Sequence, residues 1–494
     1  MKFDPADLLA VLPALWLVLG GCALALSEVF LGANPKRAYQ PWLAAAFALL
    51  SLGTAARLAP ESAHAIFGGA ATADGFSAFI AVIVAGATAL SALSAGGALR
   101  EAGAERGEFY ALVLFAAAGM DFLAMAADLV VLFIALEAMS LALYALAAYR
   151  RRARNAEAAL KYFVLGSFSS AIFLMGAALC SGAAGSTRLA DLANVPAGGS
   201  GAGLLLLLGA ALLLVGLAFK VAAVPFHMWA PDVYEGSPTP VAGFMAAAVK
   251  AASFAALLRA LLIAFGHAHG AAGPSMWEPI VATLAGATML LGNVLALPQR
   301  SVKRMLAYSS IAHAGYLLVG VAAAGLGDAP TATGAVLLYL ATYAAAVIGA
   351  FAVIGLVERG GDGAGADDLD RFSGLAQRHP GLAAAMAAFM LSLAGVPPTA
   401  GFIAKLYVFR AAMAAPLTGL AVLGVLTSVA GAYYYLRIIV YMYMRTPDGE
   451  TAPIARHATA GVAIAAALLI VVAVGVGPES LAKFAIASAA LASP

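Results

Sequence analysis

Charge-poor apolar runs of about twenty residues recur along almost the whole chain, separated by short breaks rich in proline, glycine or charge. A bilayer core about 30 Å thick takes roughly 20 helical residues to cross. In lipid every backbone N–H and C=O must find its partner inside the protein, so runs of this length are read as membrane helices. Fourteen spans are predicted, near 8–31, 41–59, 74–99, 107–126, 128–149, 155–183, 203–229, 238–264, 276–297, 301–324, 331–357, 381–412, 417–444 and 456–476. The expected fold is therefore an all-α integral membrane protein. The first run is span-length and has no small-residue cleavage site, so it is read as retained.

Composition agrees. Of 494 residues, 63% are apolar and 11% charged, against about 45–50% and about 25% in soluble domains. A soluble multidomain enzyme is excluded, and with a net charge of +2 there is no dense basic face for nucleic acid. Cys22 and Cys180 both lie in apolar runs, which leaves no disulfide framework and no cysteine set for haem or an iron–sulfur cluster. Any redox chemistry belongs to other chains.

The 27 lysines and arginines orient the spans. Sixteen fall in loops after odd-numbered spans, among them Lys36, Arg100, Arg151, Lys303, Arg359 and Arg456. Six, including Lys2, Arg188 and Arg259, lie on or near the opposite side. Both termini are thus expected on the non-cytoplasmic side. The loop at about 358–380, with Asp362, Asp367, Asp368 and Asp370, reads as a solvated linker.

Five basic residues remain inside spans: Lys161, Lys220, Lys250, Lys405 and Arg437, joined by the acid Glu137. A charge at a helix centre costs about 2.5–3.5 kcal/mol on insertion scales, so such residues face the bundle interior, pair, and mark ion or proton paths. Snorkelling to the interface is the competing reading for Lys161, some 9 Å into its span, and for Arg437, taken as an anchor near a span end. Glu137, Lys220, Lys250 and Lys405 are too deep for it. Asp121 and Asp128 flank a very short connection and are read as interfacial, while His227 and His313 are proton-relay candidates.

Two spans are also interrupted. Pro225 follows Lys220 by five residues, and Pro397-Pro398, between Gly395 and Gly401, precedes Lys405 by seven. A proline removes a backbone donor and clashes with the preceding turn. In membranes such breaks are tolerated where they are buried or line a wet cavity, and in transporters they mark ion sites in paired repeats. The breaks lie five spans apart. A repeat of five helices must re-enter from the opposite side, so spans 4–8 and 9–13 are expected to be inverted copies with broken helices 7 and 12. The corresponding segments are 1–104, 105–265, 276–445 and 446–494.

The motifs also resemble a known family. Met139-Ser-Leu-Ala-Leu-Tyr144, Lys161-Tyr-Phe-Val-Leu-Gly-Ser-Phe-Ser-Ser170 and Pro225-Phe-His-Met-Trp-Ala-Pro-Asp-Val-Tyr-Glu-Gly-Ser-Pro-Thr-Pro240 are similar to the subunit N family of proton-pumping NADH:quinone oxidoreductase, respiratory complex I. Lys303-Arg-Met-Leu-Ala-Tyr-Ser-Ser-Ile-Ala-His313-Ala-Gly-Tyr316 and Leu393-Ala-Gly-Val-Pro-Pro-Thr-Ala-Gly-Phe-Ile-Ala-Lys405 extend the resemblance over roughly 105–445. It implies that Glu137 is the family's glutamate on span 5, Lys161 the lysine on span 6, Lys220 that on broken span 7, Lys250 the linking lysine on span 8 and Lys405 that on broken span 12.

The resemblance further implies a subunit without cofactors of its own, driven by partners that carry FMN, iron–sulfur clusters and quinone. Small membrane subunits equivalent to J and K would flank it on one side and antiporter-like subunit M on the other, in a bacterial inner membrane. A multi-subunit cation/proton antiporter, a purely structural subunit, or a related complex with a non-NADH electron donor would present similar residues.

Overall fold

The computed structural model describes residues 5–31, 37–59, 62–150, 152–196, 201–266, 277–358, 368–446, 454 and 457–489. Lys2, Lys36, Arg151, Arg359, Asp362, Asp367 and Arg456 lie outside the described residues.

The amino-terminal helices are α1 (Leu12–Leu31), α2 (Gln40–Arg57) and α3 (Gly75–Glu101), with α1 and α3 both packed on α2. Next come α4 (Gly107–Met125), α5 (Leu129–Ala147), α6 (Ala153–Ala184) and α7 (Gly201–Lys220). The chain continues through the short α8 (Trp229–Gly236) into α9 (Thr239–Ala264), α10 (Trp277–Ala296), α11 (Val302–Leu326) and α12 (Ala329–Val357). Then follow α13 (Pro380–Ala394), α14 (Ala400–Ala414), α15 (Thr418–Met444), α16 (Ala458–Val476) and α17 (Glu479–Ala487).

Among the described residues, twelve helices are long and apolar enough to cross a membrane. The expected spans near 41–59 and 381–412 are not among them: the first is the eighteen-residue α2, and the second is divided into α13 and α14. A departure from the all-helical expectation is a hairpin of β1 (His64–Ile66) and β2 (Ala71–Ala73), antiparallel with Ala65 opposite Thr72. It leads into α3, whose first turn is closed by a capping box: the Asp74 carboxylate accepts from the Ser77 N–H at 2.8 Å, and the Ser77 hydroxyl accepts in return from the Asp74 N–H.

Burial sorts the helices into layers. In α9 the whole apolar window is buried, in α11 89%, and in α3 and α12 83%, whereas in α1 and α15 only a third is. The centre of the bundle is thus α9, α11, α12 and α3, and the apolar residues left outward on α1, α6, α7, α15 and α16 are the surface for lipid or neighbouring chains. Small residues set the spacing in places: a Cβ on Gly292 would stand 2.5 Å from the Ala312 backbone nitrogen, which is why α10 and α11 approach so closely.

Three expectations about charge need correction. The 358–380 loop is more than a solvated linker, because Leu369, Phe372 and Leu375 are buried and Asp368 bridges to Ser301. Lys303, counted among the loop cations, is 2% exposed and donates to the Ser237 carbonyl at 2.9 Å, with Glu358 3.4 Å away. Asp121 is not interfacial: it lies inside α4 and is 2% exposed, covered by neighbouring elements that sequence spacing does not reveal. Asp128 does cap a helix end, accepting from the Val130 N–H at 2.7 Å and the Thr187 hydroxyl at 2.5 Å.

Candidate buried proton path

The break in α7 is built around Lys220. The helix ends on this lysine, the chain passes Pro225 without regular helix, and α8 starts at Trp229. The freed backbone is recaptured locally: the Trp229 indole donates to the Phe219 carbonyl at 2.9 Å, and the Val224 N–H reaches the Thr288 hydroxyl at 2.9 Å. An interrupted membrane helix needs such partners. Lys220, 4% exposed, donates to the Ser140 hydroxyl at 2.8 Å and stands 6.0 Å from the Tyr144 ring centre.

Ser140 is one helical turn beyond Glu137 on α5, so glutamate and lysine address the same face of that helix. Glu137 is half-buried and accepts a hydrogen bond from Ser170 of α6. Lys220 is thus held by the serine, while the Glu137 carboxylate a turn away is held by Ser170.

Lys250 sits at the centre of the bundle on α9, immediately after a π-helical turn at Met245–Val249. Such wide turns recur at functional positions because they re-aim the side chains that follow. Lys250 is 4% exposed and donates to the Ser310 carbonyl of α11 at 2.7 Å, with the Tyr343 ring centre 5.8 Å away. One turn beyond Ser310, His313 is enclosed by tyrosines: its Nδ1 lies 2.6 Å from the Tyr339 hydroxyl, its Nε2 3.1 Å from that of Tyr435, and its ring is tilted on Tyr343 at 4.7 Å. Tyr435 also bonds Ser309.

The second break holds Lys405. Gly395 closes α13 at φ +85°, a left-handed cap that glycine adopts without steric cost. The last carbonyls of a helix lack intrahelical donors. Here Lys405, reaching back from α14, donates to the carbonyls of Leu393 at 3.0 Å and Ala394 at 2.9 Å and to the Ser428 hydroxyl at 2.7 Å. The Tyr316 ring centre lies 5.1 Å from its ammonium. Between His313 and this break is a cavity of about 10 Å³ lined by Tyr339, Tyr343, Ser392, Leu393 and Gly401. That is room for about one water between polar groups.

The structure does not bring every expected residue into this line. Lys161 is 43% exposed at its side chain and paired with Glu157 at 2.9 Å and Asp232 at 2.8 Å. Asp232 also pairs with Arg304 at 2.8 Å, so Lys161 belongs to a half-exposed ionic cluster that ties α6 to α8 and α11. His227 is half-buried beside the exposed Pro225. Arg437 turns inward and donates to the carbonyls of Leu297, at 2.9 Å, and Gln299, clamping the end of α10. Among the described residues no group of three or more His, Cys, Asp or Glu side chains is arranged to hold a metal ion.

Residues 126–431 match the family described as NADH:quinone oxidoreductase/Mrp antiporter, TM. A relative from Myxococcus xanthus strain DK1622 is 49% identical over 475 residues, covering 90% of this chain and 91% of its own, and bears the name NADH-quinone oxidoreductase subunit N. The chain belongs to this family. A chain of respiratory complex I from Thermus thermophilus with bound aureothin is 37% identical with a TM-score of 0.78, over 95% of this chain and 98% of that one. A chain of the Mrp complex from Dietzia sp. DQ12-45-1b is 23% identical with a TM-score of 0.83, over 99% of this chain and 97% of that one, and shares the fold.

Within this family assignment, several residues that complete the polar line carried only weak sequence signals. Ser140 and Ser310 lie one turn from Glu137 and His313, and Tyr339 and Tyr343 lie one turn apart, spacings that put each pair on one helix face. Nothing in the sequence says that two such faces meet across α11 and α12. The larger surprise is Arg259, placed near the membrane surface by its position but 0% exposed, with one nitrogen 2.7 and 2.8 Å from the two oxygens of Asp74.

Proposed function

We propose that this chain is the proton-translocating membrane-arm subunit N of an NADH:quinone oxidoreductase, moving protons along Glu137, Lys220, Lys250, His313 and Lys405. The observation that carries the reading is the row of buried polar groups from Lys250 through Ser310 and His313 to the carbonyls that hold Lys405, with room for about one water between His313 and Leu393. An uncharged lysine is favoured by burial and an ammonium by a nearby carboxylate, so movement of Glu137 relative to Lys220 switches that lysine between holding and releasing its proton. Lys250 and His313 then pass the charge to Lys405 for release. Each charge moved against 100 mV takes about 2.3 kcal/mol, which partner subunits with FMN, iron–sulfur clusters and quinone would supply.

The finer architecture belongs to the same proposal. Counting α2 and the α13–α14 pair as crossings gives fourteen spans, with spans 4–8 and 9–13 as inverted repeats and the segments 1–104, 105–265, 276–445 and 446–494. The excess of cations after odd spans supports both termini outside the cytoplasm, in the bacterial inner membrane that the subunit N reading implies. The half-exposed Glu137 and Lys161 faces suit protein neighbours, equivalents of J and K on one side and M on the other. Lys161 would tune Asp232 rather than carry protons, and His227 would serve at the wet edge of the break.

The test is NADH-driven proton uptake in inverted vesicles carrying assembled Lys220→Ala or Glu137→Gln complexes. Both are expected to pump far less than wild type at normal complex content, and wild-type pumping by both overturns the relay. The fold shared with the Mrp complex supports a second reading, a subunit of a cation/proton antiporter. Co-purification of flavin and iron–sulfur chains with NADH:quinone reductase activity rejects it, and sodium-dependent proton exchange without such chains favours it. An assembly with iron–sulfur chains but no NADH activity would point to another electron donor.

A further inference from the structure

The end of the bundle at the β1–β2 hairpin holds charges that the path above does not use. Arg259, on α9, donates through Nη2 to both oxygens of Asp74, at 2.7 and 2.8 Å, and through Nε to the Ala124 carbonyl of α4. Its Nη1 has no protein partner. Asp121 precedes Ala124 by one turn of α4 and so shares its face. It is 2% exposed, and neither of its oxygens accepts a hydrogen bond from the protein. Asp74 and Asp121 both line a cavity of about 240 Å³, together with His64, Ser77, Ala78 and Met125.

Charge counting decides what this cluster needs. Asp74 occupies the Arg259 guanidinium through both oxygens, and Asp121, on the wall of the same cavity, has no hydrogen-bonding partner. Two ionised carboxylates would leave a net negative charge on side chains that are at most 2% exposed, which is costlier than a neutral acid. The other charged groups on the elements packed against α4 are Glu28 near the opposite end of α1, Arg57 at the end of α2, Arg100 and Glu101 at the far end of α3, Glu137 on α5, and Lys250 and Arg259 on α9; of these the exposed Arg57 lies between Ala55 and Leu58 of the cavity wall, and His64 of β1 also lines it. None of them hydrogen-bonds the Asp121 carboxyl. A protonated carboxyl is both donor and acceptor, and beside the His64, Asp74, Ser77 and Asp121 side chains the otherwise apolar cavity has room for waters at about 10–15 Å³ each.

We propose that Asp121 is a proton-exchange site: an unpartnered carboxylic acid beside the Asp74–Arg259 pair that trades its proton with solvent through the hairpin cavity. Arg259 lies nine residues beyond Lys250 on the same helix, about 13.5 Å at the helical rise, so the site stands at an outlet distinct from Lys405. It rests on the proton-relay reading for the direction of travel only; the occupancy of the site does not depend on it.

The test is infrared spectroscopy of the intact complex in lipid vesicles, transferred from H₂O to D₂O without turnover. A protonated-carboxyl stretch is expected that shifts in D₂O, shifts again with ¹³C-labelled aspartate, and is lost in Asp121→Asn. Ala78→Phe, which narrows the cavity and keeps the acid, is expected to slow the deuterium exchange several-fold. Should Asp121→Asn fail to assemble, the labelled wild type and Ala78→Phe still read the site. An aspartate-free spectrum in this region, a band indifferent to D₂O, an exchange rate unchanged by Ala78→Phe, or a band abolished by sodium would each overturn the inference, the last by showing a metal cation in the proton's place. Because nothing in this measurement requires pumping, these outcomes are separate from failure of the Lys220 and Glu137 test.

Discussion

The Asp74–Arg259 pair gives the most stringent check on how the bundle is held together. Both side chains are at most 2% exposed, and the guanidinium also bonds Ala124 and stands 5.2 Å from the Phe76 ring centre, so α3, α4 and α9 meet on one residue. Replacing Arg259 with leucine leaves a buried carboxylate whose remaining partner is the Ser77 N–H, and replacing Asp74 with asparagine leaves a buried guanidinium. Removing one member of a buried ion pair costs about 3–5 kcal/mol, mostly through the charge left behind. At about 1.4 kcal/mol per tenfold, each single variant should lower the folding equilibrium constant by roughly a hundred- to several-thousand-fold. The double variant leaves neither charge stranded and should be more stable than the sum of the two losses predicts, with a coupling of about 2 kcal/mol or more. Equilibrium unfolding in mixed micelles, followed by tryptophan emission, measures all four proteins. Strictly additive losses, or singles within about 0.5 kcal/mol of wild type, would refute the claim that this pair is a buried and mutually dependent tie.

Other outcomes follow from the same geometry. Gly401→Ala drives a methyl group into the Ser392 carbonyl, which cannot move without shifting the break that holds Lys405, so pumping by the assembled complex should fall severalfold; unchanged pumping would separate the break from transport. Arg437→Ala releases two carbonyls at the end of α10 and should lower thermal stability by about 1.5–3 kcal/mol while leaving the ratio of protons to electrons unchanged. For Glu358, burial alone would raise the carboxyl, but Lys303, the Thr239 hydroxyl and Arg150 outweigh it and hold it below the ordinary glutamate range. Its contribution to stability is therefore complete above the unfolded value of about 4.3 and is lost as pH falls through the depressed folded value. In Glu358→Gln that part of the acid-induced loss should disappear from a pH series of thermal melts.

The path from sequence to site was short for some residues and closed for others. Span-length apolar runs and cations grouped after odd spans are local properties, so the membrane class and most helix positions were legible without coordinates. So were Lys220, Lys250 and Lys405, because a charge deep in an apolar run is costly wherever that helix packs, and the two proline breaks, because a proline disrupts its own helix. The partners of those lysines were not legible: Ser140, the Ser310 carbonyl, and the Leu393 and Ala394 carbonyls are supplied by other helices or by the far side of a break. Arg259 and Asp121 show the same limit from the other direction. Position near a helix end made both look interfacial, but whether such a residue meets lipid headgroups or a sealed interior depends on what covers it, and the cover comes from α3, α4, α9 and the hairpin. Sequence by itself determined where charge would be expensive; only the tertiary structure decided which charges were compensated, because compensation is a contact between segments far apart in the chain.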